Sequence, residues 1–136
     1  MSRHKFRAWD KDERKWCDYQ VYIDSNGETY YEHYERGLDN NVNVEINQYT
    51  GLKDKKGVEI YEGDIVKRTY LFDGGYGETH TGEVIYDKEY ARYVISRPQK
   101  HIEPKTEDLR NTLSDKSTYE VVGNVYENIG LLEEAE

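Results

Sequence analysis

Four histidines, one cysteine and a knot of carboxylates are the residues of this chain with the most chemistry to offer. His4, His33, His80 and His101 are scattered, with no i,i+4 pair and no ligand spacing, so they do not read as a metal site. Cys17 stands alone, which excludes an internal disulfide framework and a cysteine-based zinc centre. No His or Asn pattern beside it suggests a nucleophile, and it reads as a half-buried strand thiol. Asp54, Glu59, Glu62 and Asp64 lie close enough in sequence to make a carboxylate pair for acid–base work or to hold a divalent cation. The same residue types also serve turns, by accepting from nearby backbone. The glycines of DGGYGETHTG (73–82) lack the Gly-Lys-Ser/Thr ending of a phosphate loop and are expected to form a flexible hairpin loop carrying His80. No set of nucleophile, base and orienting group can be assembled, so an enzyme is not expected, nor a cofactor or a metal. What remains is recognition: Trp9, Tyr49, Lys53, Asp54, Tyr61 and Glu62 make a candidate interaction surface, with rings suited to a peptide or to single-stranded bases.

The elements that must position these residues follow a period of two. KFRAWDKDERKWCDYQVYI gives two short runs around a charged turn at Lys11 to Lys15, with Arg7 and Trp9 on one face of the first. VYIDSNGETYYEHYE predicts a hairpin, with Asn26-Gly27 supplying the positive φ of a tight primed turn. NVNVEINQY (41–49) alternates as a half-buried strand. Between Gln48 and Lys67 the chain reads as strand, a turn at Thr50-Gly51, a charged turn ending in Gly57, a third turn at Glu62-Gly63-Asp64, and strand again. Gly51, Gly57, Gly63 and Asp64 are therefore structural turn residues. DIVKRTYLF, GEVIYD, ARYVISR and YEVVGNVYE continue as strands, and Gly123 marks a bulge or a close backbone approach. EPKTEDLRNTLSDKS pairs Leu109 with Leu113 at i,i+4 and predicts one short helix between Pro104 and Tyr119. The tail NIGLLEEAE predicts a final turn.

A chain of 136 residues suits one domain. Only 35% of it is hydrophobic, near the level at which a highly charged chain stays disordered. Its 14 tyrosines and 2 tryptophans favour folding, since each such ring buries roughly 150–250 Å². A thin, tyrosine-rich core is expected, with hydroxyls at its edge. The net charge of −9 opposes general binding to phosphate backbones, although Arg3, Lys5, Arg7, Lys11, Arg14 and Lys15 crowd the start. MSRHKFRAWDKD lacks the apolar run of a signal peptide, and no stretch nears the roughly 20 apolar residues of a membrane span, so a soluble, cytoplasmic protein is expected.

The run from Gln48 through Asp54, then Gly57, then Glu59 through Val66, resembles the central motif of the YopX family of bacteriophage and prophage proteins. KFRAWD (5–10) resembles the family's opening, and YEVVGNVYEN (119–128) with Leu131-Leu132 resembles its close. GEVIYDKEYARY (82–93) fits the region between, whereas 19–47, 73–82 and 97–118 depart from the pattern. The resemblance implies a mainly β fold. Its form would be a small barrel or β-roll of Src-homology-3 type, with an extra N-terminal β-rich segment and one short helix before the last strand. The domain would span 1–136, as a hairpin segment 1–47, a barrel-like part 48–128 and a tail 129–136. It implies a phage or prophage origin, hence a bacterial cytoplasm, and brings no catalytic set and no established activity.

Three function classes follow. The leading one is a non-enzymatic accessory module that binds a protein, itself included, as a homo-oligomer; tyrosine enrichment at binding surfaces favours it. The second is an acidic decoy that mimics DNA and blocks a host protein, although lysines and arginines interrupt most acidic stretches. The third is weak nucleic-acid binding through the basic start with stacking on Tyr49 and Tyr61. No membrane partner is expected.

Overall fold

The computed structural model describes residues 5–72, 75–99, 102–109 and 118–132, which form twelve strands and one 3-10 turn. The fold is mainly β. The chain divides into two compact units, Lys5–Gln48 and the residues from Tyr49 onward.

In the first unit β1 (Phe6–Asp10) and β2 (Lys15–Trp16) form the opening hairpin, with Trp9 opposite Trp16. Those rings meet edge to face with centroids 5.0 Å apart, and the Arg7 guanidinium lies 4.4 Å from the Trp16 ring centre. β3 (Val21–Ile23), β4 (Thr29–His33) and β5 (Gly37–Asp39) make a separate three-stranded antiparallel sheet. β6 (Val44–Lys53) then pairs with β1, from Phe6↔Gln48 to Asp10↔Val44. The turn between β3 and β4 differs from the primed turn expected at Asn26-Gly27. Gly27 alone takes positive φ, its N–H reaches the Asp24 carbonyl, and Asp24 N–H reaches the Glu28 carbonyl. This is a three-residue loop with glycine in the left-handed position. It wins because the Asp24 carboxylate accepts from Asn26 and Glu28 N–H, both at 2.9 Å.

In the second unit β6 continues to Lys53, and β7 (Glu59–Tyr61) pairs with it. β8 (Asp64–Phe72), β9 (Gly75–Asp87), β10 (Arg92–Gln99), β11 (Ile102–Asp108) and β12 (Thr118–Asn124) form an antiparallel sheet ordered β11-β10-β9-β8-β12. A short 3-10 turn at Ile129–Leu132 follows, as the tail predicts. Arg68 of β8 reaches Glu107 of β11 as an ion pair, although two strands lie between them in the sheet. Three strand spacings of about 4.8 Å would separate these strands by about 14 Å in a flat sheet. The contact therefore requires the sheet to curl, and it does so into a half-barrel.

The core of this unit is Ile60, Val66, Val84, Ile95 and Leu109, with Leu52, Tyr93 and Val121 packed against it. It is thin, as expected, but aliphatic rather than tyrosine-rich. Each such side chain contributes roughly 1.5–3 kcal/mol on burial. The tyrosines sit mostly at the rim, and Tyr19, Tyr22, Tyr34, Tyr86 and Tyr90 are exposed.

One expected element is overturned and the start of another is displaced. The glycine-rich stretch is not a loop from residue 75 on, but the first half of β9, with Phe72↔Gly75 and Arg68↔His80 in register. Residues 73 and 74 lie outside the described residues. Glycine is needed there for packing: a Cβ on Gly82 would lie 2.5 Å from Ile95 Cγ2 and 2.9 Å from the Ser96 carbonyl oxygen. The helix expected from Pro104 is strand to Asp108, paired with β10 through Val94↔Asp108 and Arg97↔Lys105. An unpaired edge on β10 outweighs a weak helical preference, and Pro104 is tolerated because β11 is the edge strand. Leu109 is helical, and the rest of that expected helix, 110–117, lies outside the described residues.

Candidate functional site

The stretch Gln48–Lys67 folds as a set of clasps. Its first feature is a bulge rather than a turn: β6 runs on through Gly51, whose φ is 88°, with a register shift between Tyr49 and Lys53. The Thr50 hydroxyl donates to the Ile60 carbonyl at 2.7 Å and accepts from Leu52 N–H, which holds the bulge. The next turn repeats the Asp24 loop. Asp54 N–H donates to the Val58 carbonyl, Gly57 N–H to the Asp54 carbonyl, and Gly57 has φ 84°.

The buried Asp54 carboxylate accepts from Lys56 N–H at 2.8 Å, Val58 N–H at 2.9 Å and, from β12, Val121 N–H at 3.0 Å. Burial alone would push its carboxyl up. The N–H groups of Val121, Val58 and Lys56, with the Lys56 charge, outweigh that and hold it below the ordinary value. Lys56 and Lys55 reinforce the clasp by pairing with Glu120 of β12 at 3.1 and 3.9 Å. The third turn is anchored by Gly63, buried with φ 83°: its N–H donates to the Val84 carbonyl and its carbonyl accepts from Val125 N–H. Asp64 is buried and accepts from Tyr61 N–H at 2.8 Å.

Of the six residues singled out as an interaction surface, Trp9, Tyr49 and Asp54 are buried, Tyr61 and Glu62 half-buried and Lys53 exposed. Tyr49 and Tyr61 face each other across β6 and β7 with centroids 5.4 Å apart. Trp9 belongs to the other unit. Of the carboxylates considered for acid–base chemistry, Asp54 and Asp64 are engaged by backbone, and Glu59 accepts from the Tyr61 hydroxyl at 3.3 Å. Among the described residues no three His, Cys, Asp or Glu side chains gather at a point where they could hold a metal ion.

A different concavity lies within Lys5–Gln48. An open cavity of about 430 Å³ lies there, lined by Asp10, Asp12, Glu13, Tyr19, Tyr31 and Asn43 among others. The hairpin turn after β1 builds one wall. Asp10 Oδ1 accepts from Asp12 and Glu13 N–H, each at 2.9 Å, and Arg14 closes the turn with φ 56°. Asp10 Oδ2 accepts from the Tyr19 hydroxyl at 2.8 Å. The Glu13 N–H, then the Tyr19 hydroxyl, hold the Asp10 carboxyl below its ordinary value. Burial, with hydrogen bonds to Cys17 and Asp10, pushes the Tyr19 hydroxyl up, so it stays a donor at every physiological pH. Burial likewise raises the Cys17 thiol, which is half-buried as expected.

Asp10 is thus internally satisfied, while Asp12 and Glu13, both exposed, line the opening, and Asp12 accepts from Asn43 Nδ2 at 3.1 Å. Tyr19 and Tyr31 contact edge to face, with centroids 6.1 Å apart. Tyrosine rings beside acidic residues suit a cationic group, held by charge and by contact with a ring. Sequence reasoning missed this site. Asp10, Asp12, Glu13 and Tyr19 are near neighbours in the chain, but Tyr31 joins them from β4 and Asn43 from the residue before β6.

The sequence profile of the YopX protein family matches residues 5–133. Among solved structures the chain is similar to protein EF1440 from Enterococcus faecalis, at 27% identity and a TM-score of 0.54, covering 94% of this chain and 96% of that one. It is also similar to protein yopX from Bacillus subtilis, at 21% identity and a TM-score of 0.60, covering 96% and 99%. No curated protein matches it. With the profile running almost end to end, the chain belongs to the YopX protein family.

Proposed function

We propose that this chain is a non-enzymatic protein-binding module of a bacteriophage or prophage, acting in the bacterial cytoplasm as a homo-oligomer. The single observation that carries the reading is the cavity of Lys5–Gln48. Its tyrosines and the exposed acidic residues Asp12 and Glu13 suit a lysine or arginine side chain presented by a partner protein. In the second unit the curled five-stranded sheet supports a small barrel of Src-homology-3 type as the scaffold. The acidic decoy is less favoured, because the carboxylates of Asp10, Asp24, Asp54 and Asp87 accept from backbone of their own turns instead of lining an outward face.

The test is capture of tagged protein from bacterial lysate, with and without nuclease, alongside an Asp12→Lys/Glu13→Lys variant. Both side chains are exposed, so the variant keeps the wild-type melting temperature within a degree or two. A protein held by the wild type after nuclease treatment, and lost from the variant, supports the reading. Equal recovery by both would sink the cavity as the docking point. Recovery only of nucleic-acid-dependent material would favour the nucleic-acid alternative.

A further inference from the structure

The curled sheet of the second unit carries a cationic patch that nothing above uses. Successive residues of a strand point to opposite faces, so residues two apart share one. Arg68 follows the core residue Val66 by two positions, and Arg97 follows the core residue Ile95 by two. Ile95 stands opposite Glu107 and Arg97 opposite Lys105, while Arg68 stands opposite His80. Arg68, His80, Arg97, Lys105 and Glu107 therefore continue the core-side face of the half-barrel beyond the apolar cluster.

Arg68 is buried and paired with Glu107, the carboxylate of this set. Arg97, half-buried, and Lys105, exposed, have no ion pair or hydrogen bond from their side chains among the described residues. Two like charges directly opposite each other on neighbouring strands destabilise a sheet. This pair stands in a chain of net charge −9, in which the Asp24, Asp54 and Asp87 carboxylates accept from backbone of their own turns.

We propose that the concave face at Arg97 and Lys105 is a binding site for a phosphate group. The arginine fork can hold two of its oxygens while the lysine ammonium supplies a point charge beside it. Arg68 is neutralised by Glu107, so the site's charge comes from Arg97 and Lys105. The phosphate can arrive free or on a mononucleotide, and both present the same oxygens.

The experiment is an amide chemical-shift titration of the full chain with inorganic phosphate and, separately, with thymidine monophosphate, on wild type and on Arg97→Gln/Lys105→Gln. Saturable shifts in β10 and β11 that weaken about tenfold or more in the variant are expected. Tighter binding in the nucleotide arm would identify the carrier; equal binding would identify phosphate itself. Melting in phosphate-free buffer is the second readout, and there the variant is expected to equal or exceed the wild type, because a repulsion has been removed. The proposal is overturned if neither ligand shifts these strands, if the variant binds as the wild type does, or if it melts well below the wild type, which would make the two cations structural.

Discussion

Asp54 shows how one carboxylate can join distant parts of a β fold. It closes its own turn through Lys56 and Val58, then takes the Val121 N–H of β12, the last strand of the sheet among the described residues. Its carboxyl sits below the ordinary value despite burial. A group lowered on folding contributes stability above its unfolded value, and that contribution is lost as pH falls through the folded value. Stability from this clasp is therefore complete above about pH 5 and drains away below about pH 4. Asp54→Asn, with a weaker acceptor, is expected to cost about 1–2 kcal/mol at neutral pH and to flatten the acid limb of a melting-temperature profile. An unchanged acid limb would show that the clasp lies elsewhere. The turn around Asp54 is legible from its sequence, since Asp before two polar residues and glycine has a backbone role. That the same carboxylate reaches Val121 is not legible, because nothing local encodes a partner 67 residues away.

At the scale of elements, period-two patterning reads well wherever a strand is half-buried, and fails where strand pairing overrides composition. The stretch from Gly75 to Gly82 has the glycine content of a loop, yet β8 supplies a ladder for it and Ile95 leaves no room for a side chain at Gly82. EPKTED has the charge pattern of a helix start, yet the edge of β10 takes it as a strand. Such outcomes depend on which edges are left open by the rest of the chain, and that is settled only once the sheet exists. Gly82→Ala tests the packing of β9 on β10. Its methyl would press on a branched side chain and on a carbonyl that cannot move without breaking the ladder. A loss of about 1–3 kcal/mol is expected in chemical denaturation. A neutral result would mean that β10 yields freely at Ser96.

For the whole molecule, the order of motifs along the chain points to the family, and the profile match over residues 5–133 establishes it. The candidate site was not legible in the same way. Family-like motifs in this chain mark turns and clasps, whereas the cavity draws half its walls from the divergent tyrosine-rich stretch. Tyr31, on a sheet apart from β1, and Asn43 reach it only through the fold and not through spacing. The central claim is that Gln48–Lys67 is architecture and that recognition lies elsewhere. Gly63 tests it most directly, being buried, at φ 83°, and bonded at both N–H and carbonyl to Val84 and Val125. A β-branched residue there meets the left-handed penalty, roughly 1–2 kcal/mol before any clash. The measurement is the thermal melt of Gly63→Val beside the wild type. The account predicts a large fall in melting temperature, or no cooperative transition at all. A variant that melts with the wild type but no longer captures the wild-type partner would contradict it, and would make this stretch a binding site.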